Sequence, residues 1–146
     1  GVVLWVVDGQ VFASGADEAI RGDSDENKRT VFKPITGLSE IVSVYIGPSR
    51  DAAAAIDKNG RVWMWGYVWA KRVHGNGATG LHHVPGQLAD IADAKAIAIG
   101  ANHLVVLHHD GTVSTVASDY DANDQGQMGT GKTKKKKKPF KIPNID

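Results

Sequence analysis

Apolar positions along this chain come in short runs, and pairs of runs are divided by a compact polar signal. Val2-Val3-Leu4-Trp5-Val6-Val7 is followed by Asp8-Gly9 and then by Val11-Phe12-Ala13. Ala52-Ala53-Ala54-Ala55-Ile56 is followed by Asn59-Gly60 and Val62-Trp63-Met64-Trp65. Leu104-Val105-Val106-Leu107 is followed by Asp110-Gly111 and Val113-Ser114-Thr115-Val116. Asp-Gly or Asn-Gly between two such runs is the strongest short-range hairpin signal, because a tight hairpin needs positive φ at its centre. The pattern predicts three β-hairpins and almost nothing helical.

The hairpins recur at a fixed interval. Gly9 to Gly60 is 51 residues (60 − 9) and Gly60 to Gly111 is again 51 (111 − 60). An internal period of this size marks a repeat protein in which each repeat is one supersecondary unit. The flanks repeat too. Ile41-Val42-Ser43-Val44-Tyr45-Ile46-Gly47 and Lys95-Ala96-Ile97-Ala98-Ile99-Gly100 read as equivalent short strands. In the second repeat Gly66 is expected to end the strand, and a polar stretch over residues 67–80, with Gly75, Gly77 and Gly80, follows. Return segments begin at Pro34-Ile35, Val84-Pro85 and Pro139-Phe140, the last three residues late, which places a small insertion in the third repeat. The organisation is one repeat domain over 1–146, with repeats at 1–48, 49–99 and 100–146. Strands buried on both faces read as apolar runs, and small sheets stacked radially make a β-propeller. The expected fold is therefore all-β: three blades of about 51 residues, part of a propeller or of one completed by oligomerisation.

Composition narrows the function classes. With 146 residues, 42% hydrophobic and 23% charged, the chain is expected to be a soluble globular domain. No apolar run approaches the roughly 18 residues a membrane helix needs, no targeting segment is visible, and nothing indicates a compartment. Beginning at Gly rather than Met, it is expected to be an excerpted or processed piece. Without cysteine it has no disulfide, thiolate metal site or Cys nucleophile. The net charge of +1 hides an asymmetry. Lys132, Lys134, Lys135, Lys136, Lys137, Lys138 and Lys141 supply seven of seventeen basic residues, leaving ten (17 − 7) against sixteen acidic ones elsewhere.

The order of pieces resembles RCC1-type repeats: a strand ending in Gly, an Asp-Gly hairpin, a Trp-Gly strand, a Gly-Gln-Leu-Gly-x-Gly loop and a Pro-containing return. Gly100-Ala101-Asn102-His103, continuing to Leu107, resembles the family's Gly-x-x-His-x-x-x-Leu segment. Val62-Trp63-Met64-Trp65-Gly66 resembles the Trp-Gly strand, and Gly126-Gln127-Met128-Gly129-Thr130-Gly131 resembles the loop. Departures are Ser14-Gly15 and Val116-Ala117 where Trp-Gly is expected, and loop motifs reduced to Arg21-Gly22 and His74-Gly75-Asn76-Gly77 in the first two repeats. The resemblance implies a propeller ring of about seven blades, so three leave open ends. Val3, Trp5, Val11, Val105, Leu107 and Val113 are expected to line them.

Residues 126–133, Gly-Gln-Met-Gly-Thr-Gly-Lys-Thr, fit the Walker A pattern letter for letter. A P-loop works only between a buried strand and a helix whose N-terminus meets the phosphates. Here an acidic stretch precedes it and a lysine run with Pro139 follows, so these glycines are read as loop residues and no cofactor is expected. The seven lysines form a solvated run, or a salt-sensitive contact with a polyanion. His82-His83 and His108-His109 are adjacent pairs that point to opposite faces of an extended chain, so neither makes a metal site alone. Trp5, Trp63 and Trp65 fall in strands, as core. Trp69 lies instead in a loop beside Lys71, Arg72 and His74, a composition suited to a partner contact. No catalytic set emerges.

The function expected is a non-enzymatic protein-binding or scaffold module. Its partner is another protein or further copies of itself, with weak polyanion contact through the lysines. Alternatives are an assembly subunit that oligomerises through open blade edges, and a fragment of a guanine-nucleotide exchange factor, an activity some relatives carry.

Overall fold

A computed structural model describes residues 1–23, 27–48, 52–68, 80–101, 103–117, 129 and 140–142. Eleven strands and one helical turn make up the described structure. The first sheet holds β1 (Val2–Val7), β2 (Gln10–Gly15) and β3 (Arg29–Pro34) in that order. The second holds β4 (Ile41–Ile46), β5 (Ala52–Asp57), β6 (Val62–Val68) and β7 (Gly80–Gln87). The third holds β8 (Ala94–Ile99), β9 (His103–His108), β10 (Val113–Ala117) and β11 (Phe140–Ile142). Every pairing is antiparallel between chain neighbours, and the fold is all-β apart from α1 (Glu18–Arg21). β4 and β8 close the sequence repeats but pair with the hairpins that follow them, so the sheets are offset from the 51-residue units.

All three Gly signals occupy turns, but of two kinds. Val7 pairs with Gln10, and Asp8 and Gly9 both have positive φ (49° and 76°), as a two-residue type I′ turn requires. In the second sheet Gly60 N–H donates to the Asp57 carbonyl at 2.9 Å and Asp57 N–H to the Arg61 carbonyl at 3.1 Å. That loop has three residues, with only Gly60 left-handed (φ 74°). The third is the same: Gly111 N–H reaches the His108 carbonyl at 3.1 Å, and His108 N–H the Thr112 carbonyl at 2.9 Å. The one-residue difference matters because strand faces alternate with period two. Trp5, which the 51-residue period aligns with Ile56, faces outward, while Val6 takes the inward place.

The sheets stack face to face with β5 at the centre, buried along its whole length. Ala53 and Ala55 pack towards the first sheet with Val11, Ala13, Ile20, Ile35, Leu38, Ile41 and Trp65. Ala54 and Ile56 pack towards the third with Val62, Met64, Leu88, Ile91, Leu104, Val106 and Val116. Four consecutive alanines suit a strand with neighbours on both sides, since small side chains keep both approaches close while filling space at crystal-like density. Val11, expected at an open end, is fully buried in the interface.

Two further differences from the sequence reading have local causes. β6 continues through Gly66 to Val68, because a register shift between Met64 and Gly66 lets β7 keep pairing beyond the irregularity. Pro85 sits inside β7, which is tolerable because, among the described residues, β7 is an edge strand with one side free of ladder bonds.

Candidate functional site

The two ends of the sheets carry different duties. At the hairpin end, turns are consumed by blade-to-blade bonds. Ile41 N–H donates to the Gly9 carbonyl at 2.9 Å, and Ala94 N–H to the Gly60 carbonyl at 3.0 Å. The residues just before, Glu40 and Asp93, are both left-handed (φ 57° and 55°). Their carbonyls accept from Lys58 N–H at 2.8 Å and His109 N–H at 3.1 Å. Each acidic residue thus turns the chain so that one amide latches to the preceding blade and one carbonyl to its own hairpin. Lys58 adds an exposed ion pair with Glu40, which contributes little.

Asp57 fixes the middle hairpin. Its carboxylate, essentially buried, accepts from Asn59 N–H (2.9 Å), Arg61 N–H (3.0 Å), Arg61 Nε (2.7 Å) and Trp63 Nε1 (3.1 Å). Burial pushes its pKa up, but the bonds from Trp63, Arg61 and Asn59 outweigh burial and hold it below the usual carboxylate range. His108 occupies the equivalent place one repeat later. Its Nε2 lies 2.7 Å from Ser114 Oγ and its Nδ1 2.7 Å from the Ala92 carbonyl, so the ring is engaged as a structural tie. Among the described residues no group of three His, Cys, Asp or Glu side chains is arranged to hold a metal ion.

At the opposite end β2, β6 and β10 finish and β3, β7 and β11 begin. The ends of neighbouring blades align there: a Cβ on Gly47 would lie 3.0 Å from Ile99 Cγ2. The first blade's connection is described in part. Asp17 caps α1 by accepting from Ile20 N–H at 3.2 Å, and Gly22 ends it at φ 71°. Arg21 is buried and donates to the carbonyls of Gly15 (2.7 Å) and Asn27 (2.6 Å) and to Asp23 Oδ1 (3.1 Å). Arg29 pairs with Asp23 as well. Burial, then the charge of Arg21, lowers the pKa of Arg29. The second blade clamps this connection from below, as Trp65 Nε1 donates to the Ile20 carbonyl at 2.7 Å.

The partner-binding residues read from the sequence, Trp69, Lys71, Arg72 and His74, lie outside the described residues, in the connection that joins β6 to β7. Lys132 and lysines 134–138 also lie outside them, in the connection that joins β10 to β11. So does the Walker-like stretch except Gly129. Lys141 is described: it sits opposite Ser114 in β11, exposed, with Nζ 3.7 Å from Asp110 Oδ2. Asp110 has a lowered pKa, chiefly from hydrogen bonds donated by the Thr112 hydroxyl and amide.

Sequence reasoning placed Val3 and Trp5 at an open end, and both are exposed, but it did not join Phe12 and Phe32 to them as one outer face of the first sheet. Val3, Trp5 and Val7 share that face with Phe12 and Phe32, and Trp5 meets Phe32 edge-on at 5.8 Å. Trp5 is 58% exposed and Phe32 43%. Only the shorter first hairpin reveals which residues of β1 point there.

No family model matches the chain. In an alignment 130 positions long that covers 83% of the chain, it is 32% identical to the regulator of chromosome condensation of Mus musculus. The chain belongs to the RCC1-like repeat family. It spans 28% of that relative's length. Among solved structures, yeast RCC1 (Prp20) bound to Kap60 matches over 99% of this chain and 36% of its own, with TM-score 0.72 and 19% identity. Prp20p of Saccharomyces cerevisiae, described with its binding to Gsp1p and histones, matches over 99% and 37%, at 0.71 and 18%. Human WBSCR16 matches over 80% and 30%, at 0.63 and 19%. The three sheets are thus RCC1-like propeller blades, and no described helix is long and apolar enough to cross a membrane.

Proposed function

We propose that this RCC1-like chain is a non-enzymatic protein-binding segment whose partner face is the end opposite the hairpins. One observation carries the reading: the hairpin carbonyls of Gly9 and Gly60 are already spent on blade-to-blade bonds. The other end launches the long connections that differ from repeat to repeat, and connections of this kind carry binding residues on a rigid scaffold. On this reading Trp69, Lys71, Arg72 and His74 contact a protein surface. Lys132 and lysines 134–138 supply a salt-sensitive contact to an acidic one, whereas Lys141, beside Asp110 of the third hairpin, stands at the hairpin end. The yeast relative's association with Kap60, Gsp1p and histones supports a protein partner. A second reading, an assembly subunit, is favoured by the exposed aromatic face around Trp5. Nucleotide exchange is the third.

The test is binding of wild-type chain and of a Trp69→Ala, Lys71→Ala, Arg72→Ala triple variant to Kap60, Gsp1p and histones, with guanine-nucleotide exchange on a GTPase followed in parallel. Binding lost in the triple variant but kept in Lys58→Ala supports the reading. Binding that depends on Lys58 instead overturns it. Exchange activity in the wild type transfers the conclusion to the third reading.

A further inference from the structure

Each hairpin turn sets a side-chain carbonyl carbon one residue ahead of a glycine amide: Asp8 before Gly9, Asn59 before Gly60, Asp110 before Gly111. Such a pair can close to a succinimide, because glycine has no side chain to hinder its nitrogen. The three differ in the leaving group. An ionised carboxylate has none at neutral pH, and Asp110 is held ionised by the Thr112 hydroxyl and by the Thr112 amide at 2.9 Å. Asn59 carries an amide that departs as ammonia without first being protonated, the chemistry that makes asparagine thermolabile. Asn59 is also exposed to water, whereas Gly60 is buried.

The folded turn opposes that reaction. Gly60 N–H, whose proton must leave before the nitrogen can attack, donates to the Asp57 carbonyl at 2.9 Å. Asn59 N–H and Arg61 N–H donate to the Asp57 carboxylate at 2.9 and 3.0 Å, which fixes the peptide planes on either side of the reacting pair. Ring closure has to turn the Asn59–Gly60 peptide out of this arrangement. The reaction therefore runs from the opened hairpin, and its rate follows the population of that state.

We propose that Asn59-Gly60 is a modification site, deamidated when the middle hairpin opens, and that its isoaspartyl product releases the latch between the second and third blades. The Gly60 nitrogen gives up its proton and bonds to Asn59 Cγ, the Cγ–Nδ2 bond breaks, and ammonia leaves. Water then opens the ring at either carbonyl. Breaking the new N–Cγ bond leaves an ordinary aspartate; breaking the bond from nitrogen to the main-chain carbonyl carbon leaves an isoaspartate. Isoaspartate routes the chain through Cβ and lengthens the loop by an atom. Gly60 has no room for the change: its carbonyl accepts from Ala94 N–H at 3.0 Å, and a Cβ there would lie 2.8 Å from Asp93 Cα. The Gly9–Ile41 latch follows Asp8 and stays closed. The release is one-way, since ammonia is lost.

The experiment incubates the full 146-residue chain, its Asp57→Ala and Trp63→Phe variants and a free peptide of residues 55–65 at neutral pH. Mass spectrometry that separates aspartate from isoaspartate follows Asn59. Conversion should be at least about tenfold slower in the wild-type chain than in the peptide, and about tenfold faster in Asp57→Ala than in wild type, through the hairpin bonds lost. Trp63→Phe removes one donor to Asp57 and should fall between, which keeps the test open where Asp57→Ala does not fold. Hydrogen exchange on the isoaspartyl chain should show the Ala94 amide deprotected and the Ile41 amide unchanged. Asn59→Asp, with the charge but without the extra atom, should keep Ala94 protected. The proposal is overturned by equal rates in chain and peptide, by equal rates in wild type and variants, or by no conversion in any folded chain. It is overturned equally by an Ala94 amide that stays protected in the isoaspartyl chain or is already lost in Asn59→Asp.

Discussion

Trp65 Nε1 donates a 2.7 Å hydrogen bond to the carbonyl of Ile20, 45 residues earlier in the chain and in the neighbouring blade. Both partners are buried, and Ile20 shares with Arg21 the buried side of the helical turn α1. The bond ties the second blade's Trp-Gly strand to the first blade's connection, and one side chain serves packing and orientation together. Trp65→Phe keeps most of the ring volume but leaves that carbonyl unmet. It should cost about 1–3 kcal/mol, read as a lower urea midpoint with an unchanged m-value.

Gly60 and Gly111 hold equivalent turn positions with similar φ (74° and 83°), but their surroundings differ. A Cβ on Gly60 would lie 2.8 Å from Asp93 Cα, whereas one on Gly111 meets nothing within 4 Å. Each Ala substitution carries the left-handed penalty of about 1–2 kcal/mol. Gly60→Ala should lose clearly more stability than Gly111→Ala, because the backbone it strikes belongs to the blade latch. Equal losses in denaturant titration would rule out a latch at Gly60.

Asp57 ties together two amides, a guanidinium and an indole. Its folded pKa is depressed, so its contribution is present above the unfolded value of about 3.9 and is lost as pH falls through the lower folded value. Asp57→Ala should destabilise at pH 7 by about 1–3 kcal/mol through the donors left unmet. Thermal melts from pH 7 to pH 2 check the sign: the gap between variant and wild type should narrow on the acid side.

Replacing lysines 134–138 with Gln should abolish retention on heparin or another polyanion. Wild-type retention should weaken steeply with salt, since counterion release drives such contacts. Thermal stability should stay nearly constant. A large fall in stability would assign the run to the fold instead.

The aromatic pair of Trp5 and Phe32 stands on an exposed apolar face. The chain should self-associate in light scattering, and Trp5→Ser with Phe32→Ser should shift it towards monomer. A wild-type monomer with concentration-independent unfolding would remove the case for this face as an interface.

The spacing of Gly9, Gly60 and Gly111 made the three hairpins and the repeat legible from sequence alone, because positive φ is chemically restricted and leaves a visible residue. The RCC1-like order of the pieces was legible for the same reason. Trp65 and the alanines of β5 were readable as strand and core. Val3 and Trp5 were read at an open end, but Val11 was placed there with them and Trp5 was also read as core. The cause is the first turn, one residue shorter than the others: with a two-residue period that single residue sends Trp5 out and sets Val6 and Val11 inward. Nor could periodicity show that the Gly9 and Gly60 carbonyls receive Ile41 and Ala94. The sequence determined the local turns and the alternation they punctuate. Register, the docking of blade on blade and the left-handed turns at Glu40 and Asp93 depend on atoms brought together from distant parts of the chain, so only the tertiary structure decided them.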